Sequence, residues 1–224
     1  LDKSGLAQNL LYSLERLLGR KRGGLAISVA VLGIIMAAST GIVGASVVML
    51  STLALPIMLR EKYKPELAVG TIAASGTLGI LIPPSIMLVL IGDILHISVG
   101  DLFLGAIIPG LLLGGLYIAY IIYIAITKPS YTPVSKEQRY EGSLFLSLLR
   151  DLFAPIVLIL TVLGSIATGT ATPTEAAGLG AISAMVLAAI NRKLTKDTLS
   201  SCIRQTGNTS AMILGVLIGA TIFG

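Results

Sequence analysis

Long apolar runs without a charged residue divide this chain, and short charged stretches separate them. The runs are residues 24–59, 67–92, 102–127, 152–174 and 176–191. A helix that crosses a bilayer needs about 20 predominantly apolar residues, so every run but the last is long enough without adjustment. The pattern predicts an all-α polytopic membrane protein.

The first run is too long for one crossing. At about 1.5 Å per residue, a single helix over residues 24–59 would measure about 54 Å, against a hydrocarbon core of about 30 Å. Basic residues occur at 20–22 before the run and at 60–64 after it, and the positive-inside rule puts both clusters on the cytoplasmic face. The run therefore predicts a helical hairpin with its turn in residues 39–46. Its legs are short for full crossings, which favours a re-entrant hairpin.

The second run contains "ASGTLGILIPPS", residues 74–85, in which Gly76, Gly79, Pro83 and Pro84 interrupt the helical pattern. A broken backbone at membrane depth leaves peptide groups without partners, and it is tolerated where it lines a cavity. Such breaks offer helix N-termini to anions and unwound carbonyls to Na⁺. A kink or a close helix contact is the structural alternative. The density of glycine, proline and hydroxyl residues favours a binding site in a discontinuous transmembrane helix.

Placing every basic cluster on the cytoplasmic side fixes the order of crossings in the rest of the chain. The expected segments are an interfacial amphipathic helix and basic loop at 1–22, the hairpin at 23–65, the discontinuous helix and outer loop at 66–100, a transmembrane helix at 101–127, a cytoplasmic loop at 128–151, transmembrane helices at 152–172 and 173–191, a cytoplasmic segment at 192–206, and the start of a further transmembrane helix at 207–224. The absence of an initial methionine and the apolar end favour a piece of a longer protein.

Composition agrees with the membrane reading. The chain is 54% hydrophobic and 12% charged, whereas a soluble domain carries about 25% charged residues. Its net charge of +5 comes from basic residues at the ends of apolar runs, which indicates topology and contact with anionic membrane lipid rather than nucleic acid. One cysteine and one histidine exclude an internal disulfide and a cysteine-built metal site. With no nucleophile motif or phosphate loop, we expect no enzyme.

Glu175 is the one residue between the apolar runs 152–174 and 176–191. Carboxylates in such places often carry protons or ions. Here Thr172-Pro173-Thr174-Glu175 has the form of a capping box with proline at the first helical position. We therefore predict a structural role for Glu175.

Four stretches carry a resemblance to a known family: "ASTGIVGASVVML", "LPIMLREKYKPELAVGTIAASGTLGILIPPSI", "SVGDLFLGAIIPGLLLGGLY" and "ATPTEAAGLGA". Together they resemble the large membrane (permease) subunit of tripartite ATP-independent periplasmic (TRAP) transporters, in the branch labelled mannitol/chloroaromatic. The resemblance implies sodium-coupled secondary uptake of an organic acid across the bacterial inner membrane, with Na⁺ as coupling ion and no other cofactor. It also implies two partners, a periplasmic substrate-binding protein and a small four-helix membrane subunit, and one half of an inverted-repeat, elevator-type fold.

The resemblance also implies site residues. Those expected at a Na⁺ site, mainly through backbone carbonyls, are Thr40, Gly41, Ile42, Gly79 and Ile82. Those expected to face substrate are Ser39, Thr40, Thr77, Pro83 and Ser85. The second hairpin and second broken helix of the family are not in this chain, so half of the site lies elsewhere.

The residues alone leave other classes open. A channel, or a Na⁺-coupled anion carrier without a binding protein, would use the same broken helix. A non-transporting scaffold subunit would contain it only as a kink. The identity of the acid, fusion to the small subunit and the oligomeric state are not encoded in recognisable motifs.

Overall fold

All regular structure in the described part of the chain is helical. The computed structural model describes residues 6–19, 21–41, 43–134, 144–191 and 194–223. Four of its segments are long and apolar enough to cross a membrane: Val43–Arg60, Pro65–Leu95, Val99–Thr127 and Pro173–Ile190. The prediction of an all-α polytopic membrane protein is confirmed.

The described part of the chain contains nine α-helices and one 3₁₀ turn. In chain order they are α1 (Leu6–Leu18), α2 (Gly24–Thr40), α3 (Val43–Arg60), α4 (Pro65–Leu81), α5 (Ile86–Leu95), α6 (Val99–Thr127), a 3₁₀ turn (Pro129–Tyr131), α7 (Leu144–Ala167), α8 (Pro173–Ile190) and α9 (Lys196–Phe223). Residues 1–184 form one compact unit and residues 185–224 another, so α8 begins in the first and ends in the second.

Helices α2 and α3 form the expected hairpin and contact each other, although each has more extensive contacts with α4. The chain reverses at Gly41, whose φ of +60° is a left-handed conformation that costs a side-chain-bearing residue about 1–2 kcal/mol. Helix α3 begins at Val43, so the turn is shorter than the predicted stretch of residues 39–46. Re-entry of the hairpin stays a prediction, since α3 is also long enough for a full crossing.

Helix α4 packs against both legs of the hairpin through glycine contacts. A Cβ on Gly33 of α2 would meet the Cβ of Ser75, and a Cβ on Gly76 of α4 would meet Cγ2 of Val47. The sequence analysis expected Gly76 and Gly79 to interrupt the helix together with the two prolines, and for the glycines that expectation was wrong. Both lie inside α4, and neither has a positive φ. Gly76 is needed because backbone and side chain of α3 occupy the space of a Cβ.

The apolar face of α1 packs onto protein. Leu10, Leu11 and Leu14 are at most 5% exposed, and they join a core built with α2, α3 and α4. Helix α1 also contacts α7, where the Ser13 hydroxyl donates to a carboxylate oxygen of Asp151 at 2.6 Å. An amphipathic pattern predicts an apolar partner for the helix, and here other helices supply that partner.

Helix bounds in the second half differ from the charge-based segments. Helix α7 begins at Leu144, ahead of the apolar run, and ends at Ala167. Helix α9 begins at Lys196 and continues through residue 207 to Phe223 as one helix. It begins at Lys196 because the Thr195 hydroxyl caps it by accepting from the N–H of Thr198 at 3.1 Å. Charges locate the membrane boundary, whereas caps locate the helix ends.

Candidate functional site

The helix in the second apolar run is broken over residues 82–85. The last hydrogen bond of α4 runs from the Ile82 N–H to the Leu78 carbonyl at 2.8 Å, and α5 opens with the Val89 N–H bonded to the Ser85 carbonyl at 3.2 Å. Between them lie Pro83 and Pro84, joined by a cis peptide bond. The break is predicted correctly, but it is shorter than the twelve-residue stretch that suggested it.

The two prolines explain where α4 stops. Proline has no N–H to donate, and its ring disfavours a helical conformation in the residue before it. Ile82 accordingly takes extended angles, φ −84° and ψ 118°. Ser85 is extended as well, with φ −122° and ψ 132°, and stands at the N-cap of α5. The carbonyl end of one helix and the N–H end of another therefore face a gap of four residues.

The hairpin turn lies against this gap. A Cβ built on Gly41 would be 3.3 Å from the carbonyl oxygen of Pro84 and 3.6 Å from the backbone nitrogen of Ile86. Four helix ends thus converge: the C-termini of α2 and α4, and the N-termini of α3 and α5. Helix C-termini present unpaired carbonyls and partial negative charge, while N-termini present unpaired N–H groups and partial positive charge. The arrangement can hold a cation and an anion near one another.

Ser85 has the clearest signature of a ligand-binding side chain. It is 1% exposed, and its hydroxyl has no hydrogen-bond partner among the described residues. An unsatisfied buried hydroxyl costs about 1–3 kcal/mol. The hydroxyl also fails to cap α5, although the N-cap is the position where serine normally does so.

The remaining predicted residues divide by position. Gly79, Ile82 and Pro83 are buried at or beside the break. Thr77 is exposed, and its hydroxyl donates to the Ala74 carbonyl at 2.7 Å, so the described fold does not enclose it as it encloses Ser85. The prediction that these residues bind Na⁺ or substrate stays a prediction.

The predicted residues at the hairpin turn are described in part. Ser39 and Thr40 belong to the last turn of α2, and their side chains lie outside the description. Ile42 lies outside the described residues altogether. Of this group Gly41 alone has described contacts, and it is the residue that meets the break.

Sequence reasoning missed the support behind the break. A Cβ on Gly110 of α6 would lie 3.0 Å from Cγ1 of Ile82 and 3.5 Å from the carbonyl oxygen of Leu81. Helix α6 therefore packs directly against the C-terminal end of α4. The Pro109-Gly110 pair within an apolar run could have indicated this close helix contact, but the same pair is equally typical of a helix kink.

No group of three or more His, Cys, Asp or Glu side chains comes together within the described ranges. The groups that the structure places at the break include the Pro84 carbonyl and the Ser85 hydroxyl, which offer oxygen atoms to a cation. Such oxygen ligands suit hard cations.

These features define a polytopic membrane protein with a helix broken against a hairpin turn. Residues 1–224 match the model of the family described as "Tripartite ATP-independent periplasmic transporter, DctM component". The chain belongs to this family, which confirms the resemblance seen in the four sequence stretches, and it is a multi-pass component of the inner membrane.

Curated relatives extend along the whole chain. The C4-dicarboxylate TRAP transporter large permease protein DctM of Pseudomonas aeruginosa is 32% identical over 100% of this chain and 52% of its own length. The isethionate TRAP transporter permease protein DctMQ of Oleidesulfovibrio alaskensis is 31% identical over 100% of this chain and 35% of its own. The 2,3-diketo-L-gulonate TRAP transporter large permease protein YiaN of Escherichia coli is 27% identical, over 99% and 52%. The chain thus spans about half the length of most of the curated relatives it matches.

Proposed function

We propose that the protein containing this chain takes up an organic acid across the inner membrane by sodium-coupled secondary transport. A periplasmic binding protein delivers the acid, and a small four-helix membrane subunit completes the complex. Family membership supports this proposal, as do relatives whose names specify C4-dicarboxylate, isethionate and 2,3-diketo-L-gulonate. The observation that carries it is the buried Ser85 hydroxyl at the N-terminus of α5, which has no hydrogen-bond partner among the described residues and lies beside the hairpin turn.

The anion part of the proposal rests on α5. Its first N–H groups have no partner within the helix, and its N-terminus carries partial positive charge, worth up to about 2 kcal/mol to a partly buried anion. The Ser85 hydroxyl can donate to the same anion, as a hydrogen bond to a charged group worth about 1.5–3 kcal/mol. A carboxylate bound here would accept a hydrogen bond from the Ser85 hydroxyl, which has no partner among the described residues.

The cation part rests on the carbonyl ends of α2 and α4. Na⁺ bound by carbonyls near Gly41 and Ile82 would lie close to the anion site, since Gly41 meets Pro84 and Ile86. Opposite charges about 4 Å apart attract by about 4 kcal/mol at an effective dielectric constant of 20. Each ion therefore favours binding of the other, which raises the population of the doubly loaded state that coupled transport would move.

Alternating access requires the hairpin and α4 to move together. The glycine contacts of Gly33 with Ser75 and of Gly76 with Val47 make the hairpin and α4 one close-packed body, as an elevator-type movement needs. Relatives are about twice as long as this chain. The second half of the site would come from that additional length.

The test is uptake into proteoliposomes that hold the full-length permease and its small subunit. Radiolabelled C4-dicarboxylate, isethionate and 2,3-diketo-L-gulonate are supplied with the binding protein outside, with and without a Na⁺ gradient. We expect uptake of at least one acid only when Na⁺ and binding protein are both present, with a large loss on Gly79→Ala in folded protein. Uptake that ignores both would indicate a channel, and no uptake of any acid by a folded, complete complex would favour a scaffold.

A further inference from the structure

A second site lies on α4 and α6, at the opposite end of α4 from the break. A groove of about 450 Å³ runs between these helices. Its walls are apolar and aromatic, and they include Leu67, Ala74, Tyr117, Tyr120 and Ile121. The proposed transport mechanism uses none of these residues.

Two lysines stand at the mouth of the groove. The ammonium of Lys64 lies 5.3 Å from the centroid of the Tyr131 ring, and that of Lys128 lies 5.4 Å from the same centroid. Both distances are within the range of about 6 Å for cation–π attraction. The Lys64 N–H also donates to the Tyr131 carbonyl at 3.3 Å, which ties the two loops together. Two positive charges are thereby held on one aromatic ring.

Neither ammonium forms an ion pair with a carboxylate in the part of the chain that the structure describes. Glu66 also lines the groove, and it lies in the first turn of α4, where the helix dipole favours a carboxylate. The mouth thus has a net positive charge, and both lysine side chains are exposed.

The groove lies where one leaflet of a bilayer would be. Lys64 immediately precedes one candidate membrane span and Lys128 immediately follows another, so the mouth is at the height of the lipid headgroups. Along α6 the groove extends from Lys128 to Tyr117, about 16 Å at 1.5 Å per residue. Half of a hydrocarbon core measures about 15 Å.

We propose that this groove binds one anionic phospholipid, with an acyl chain between α4 and α6 and its headgroup at Lys64 and Lys128. The charges at the mouth match an anionic headgroup, the walls match a hydrocarbon chain, and the length matches one leaflet. Aromatic side chains and lysines at a span end are the groups that anchor lipid headgroups.

The test uses native mass spectrometry of the full-length permease with its small subunit, in detergent. Phosphatidylglycerol and phosphatidylcholine with identical acyl chains are added separately, and retained lipid is counted. Changing Lys64→Gln together with Lys128→Gln is expected to lower phosphatidylglycerol retention roughly tenfold, since each basic residue near an anionic surface contributes to binding. The matched control, Arg60→Gln with Lys62→Gln, removes two charges from the end of α3 and the loop before α4, and it is expected to change phosphatidylglycerol retention little. Glu66→Gln should increase retention.

A second pair of variants tests the acyl chain. Gly70 lines the groove, and a Cβ there has open space around it, so Gly70→Leu should fill the groove without disturbing α4. Gly115 of α6 has open space too and is not a lining residue, so Gly115→Leu is its control. We expect Gly70→Leu to abolish retention of both lipids and Gly115→Leu to keep it.

Three results would overturn the proposal. The first is equal retention of the two lipids with no effect of the lysine changes. The second is displacement of phosphatidylglycerol by inorganic phosphate alone, which would indicate a headgroup site without an acyl chain. The third is retention unchanged by Gly70→Leu in folded protein, which would indicate that another segment of the full-length protein fills the groove.

Discussion

Ser85 and Thr172 occupy the N-cap positions of two helices, but the Thr172 side chain caps its helix and the Ser85 side chain does not. Thr172 begins α8 with a complete capping box: its hydroxyl accepts from the Glu175 N–H at 3.4 Å, and the Glu175 carboxylate accepts from the Thr172 N–H at 2.8 Å. Ser98 of α6 likewise accepts from Asp101 at 3.3 Å. Ser85 makes no such bond, and it is buried whereas the residues of the capping box are not.

The difference separates a helix start that is complete in itself from one at which we propose a ligand. At α8 the predicted structural role of Glu175 is confirmed, because its carboxylate is engaged by the cap. At α5 the prolines, the hairpin turn and an unused hydroxyl lie together. An open helix N-terminus beside unpaired carbonyls is costly in a membrane, and the ions that we propose to bind here would offset that cost.

The largest effect is expected from separating the hairpin from α4. Gly76→Leu puts a side chain where Val47 Cγ2 and backbone atoms already lie, and overpacking of this kind typically costs about 1–3 kcal/mol and occasionally more. We expect a loss of that size in the free energy of unfolding, measured by equilibrium unfolding of the full-length permease in mixed micelles. Gly70→Leu, on the same helix but in open space, is the control, and equal destabilisation by both would contradict the packing role of Gly76.

Ser85→Ala tests the open helix start directly. Removing an unpartnered buried hydroxyl should leave the free energy of unfolding unchanged or raise it by up to about 1 kcal/mol, while the loss of a hydrogen bond to a charged ligand should weaken substrate binding roughly 10- to 100-fold. Thermal unfolding without substrate and the concentration dependence of uptake measure the two effects. A destabilised protein with unchanged uptake would mean that the hydroxyl has a structural partner.

Gly41→Ala perturbs the hairpin turn more gently. The substitution forces a side chain into a left-handed conformation, at about 1–2 kcal/mol, and its Cβ would press on the Pro84 carbonyl at 3.3 Å. We expect a moderate loss of stability together with a higher Na⁺ requirement for uptake. Gly41→Asn should lose less stability, because asparagine tolerates this conformation. Gly44→Ala, helical and in open space, should affect neither property.

Thr172→Ala should have the smallest effect on function. Loss of a hydroxyl N-cap costs about 1 kcal/mol, so unfolding should become slightly easier. The Na⁺ and substrate dependence of uptake should stay as in the unmodified protein. A specific change in the Na⁺ dependence of uptake would instead indicate a functional role for the Glu175 carboxylate.

Much of the fold can be predicted from sequence because the bilayer sets the length of its elements. Residues 24–59 had to fold back, and Pro83-Pro84 had to end a helix, whatever surrounds them. The role of Gly76 could not be predicted, since it depends on which helix lies against it. The face of α1 was ambiguous for a similar reason, because lipid and protein are both apolar partners.

The candidate site was predictable only in its backbone features. Glycine and proline located the break and the turn, and the structure brings Gly41 to Pro84. The sequence identifies Ser85 as a hydroxyl residue near the break, but a serine before a helix normally indicates an N-cap and not a ligand-binding side chain. That it is buried and unused follows from the packing of the hairpin, which local sequence does not encode.

The most direct test compares Ser85→Ala with Thr172→Ala in one uptake assay. The initial rate of acid uptake into proteoliposomes is measured against Na⁺ and acid concentration, with binding protein and small subunit present and each variant checked for folding. We expect Ser85→Ala to be as stable as the unmodified protein and to need far more acid and Na⁺ for half-maximal uptake. Thr172→Ala should differ from the unmodified protein only in stability. Unchanged Na⁺ and acid requirements in Ser85→Ala would contradict a binding site at the broken helix.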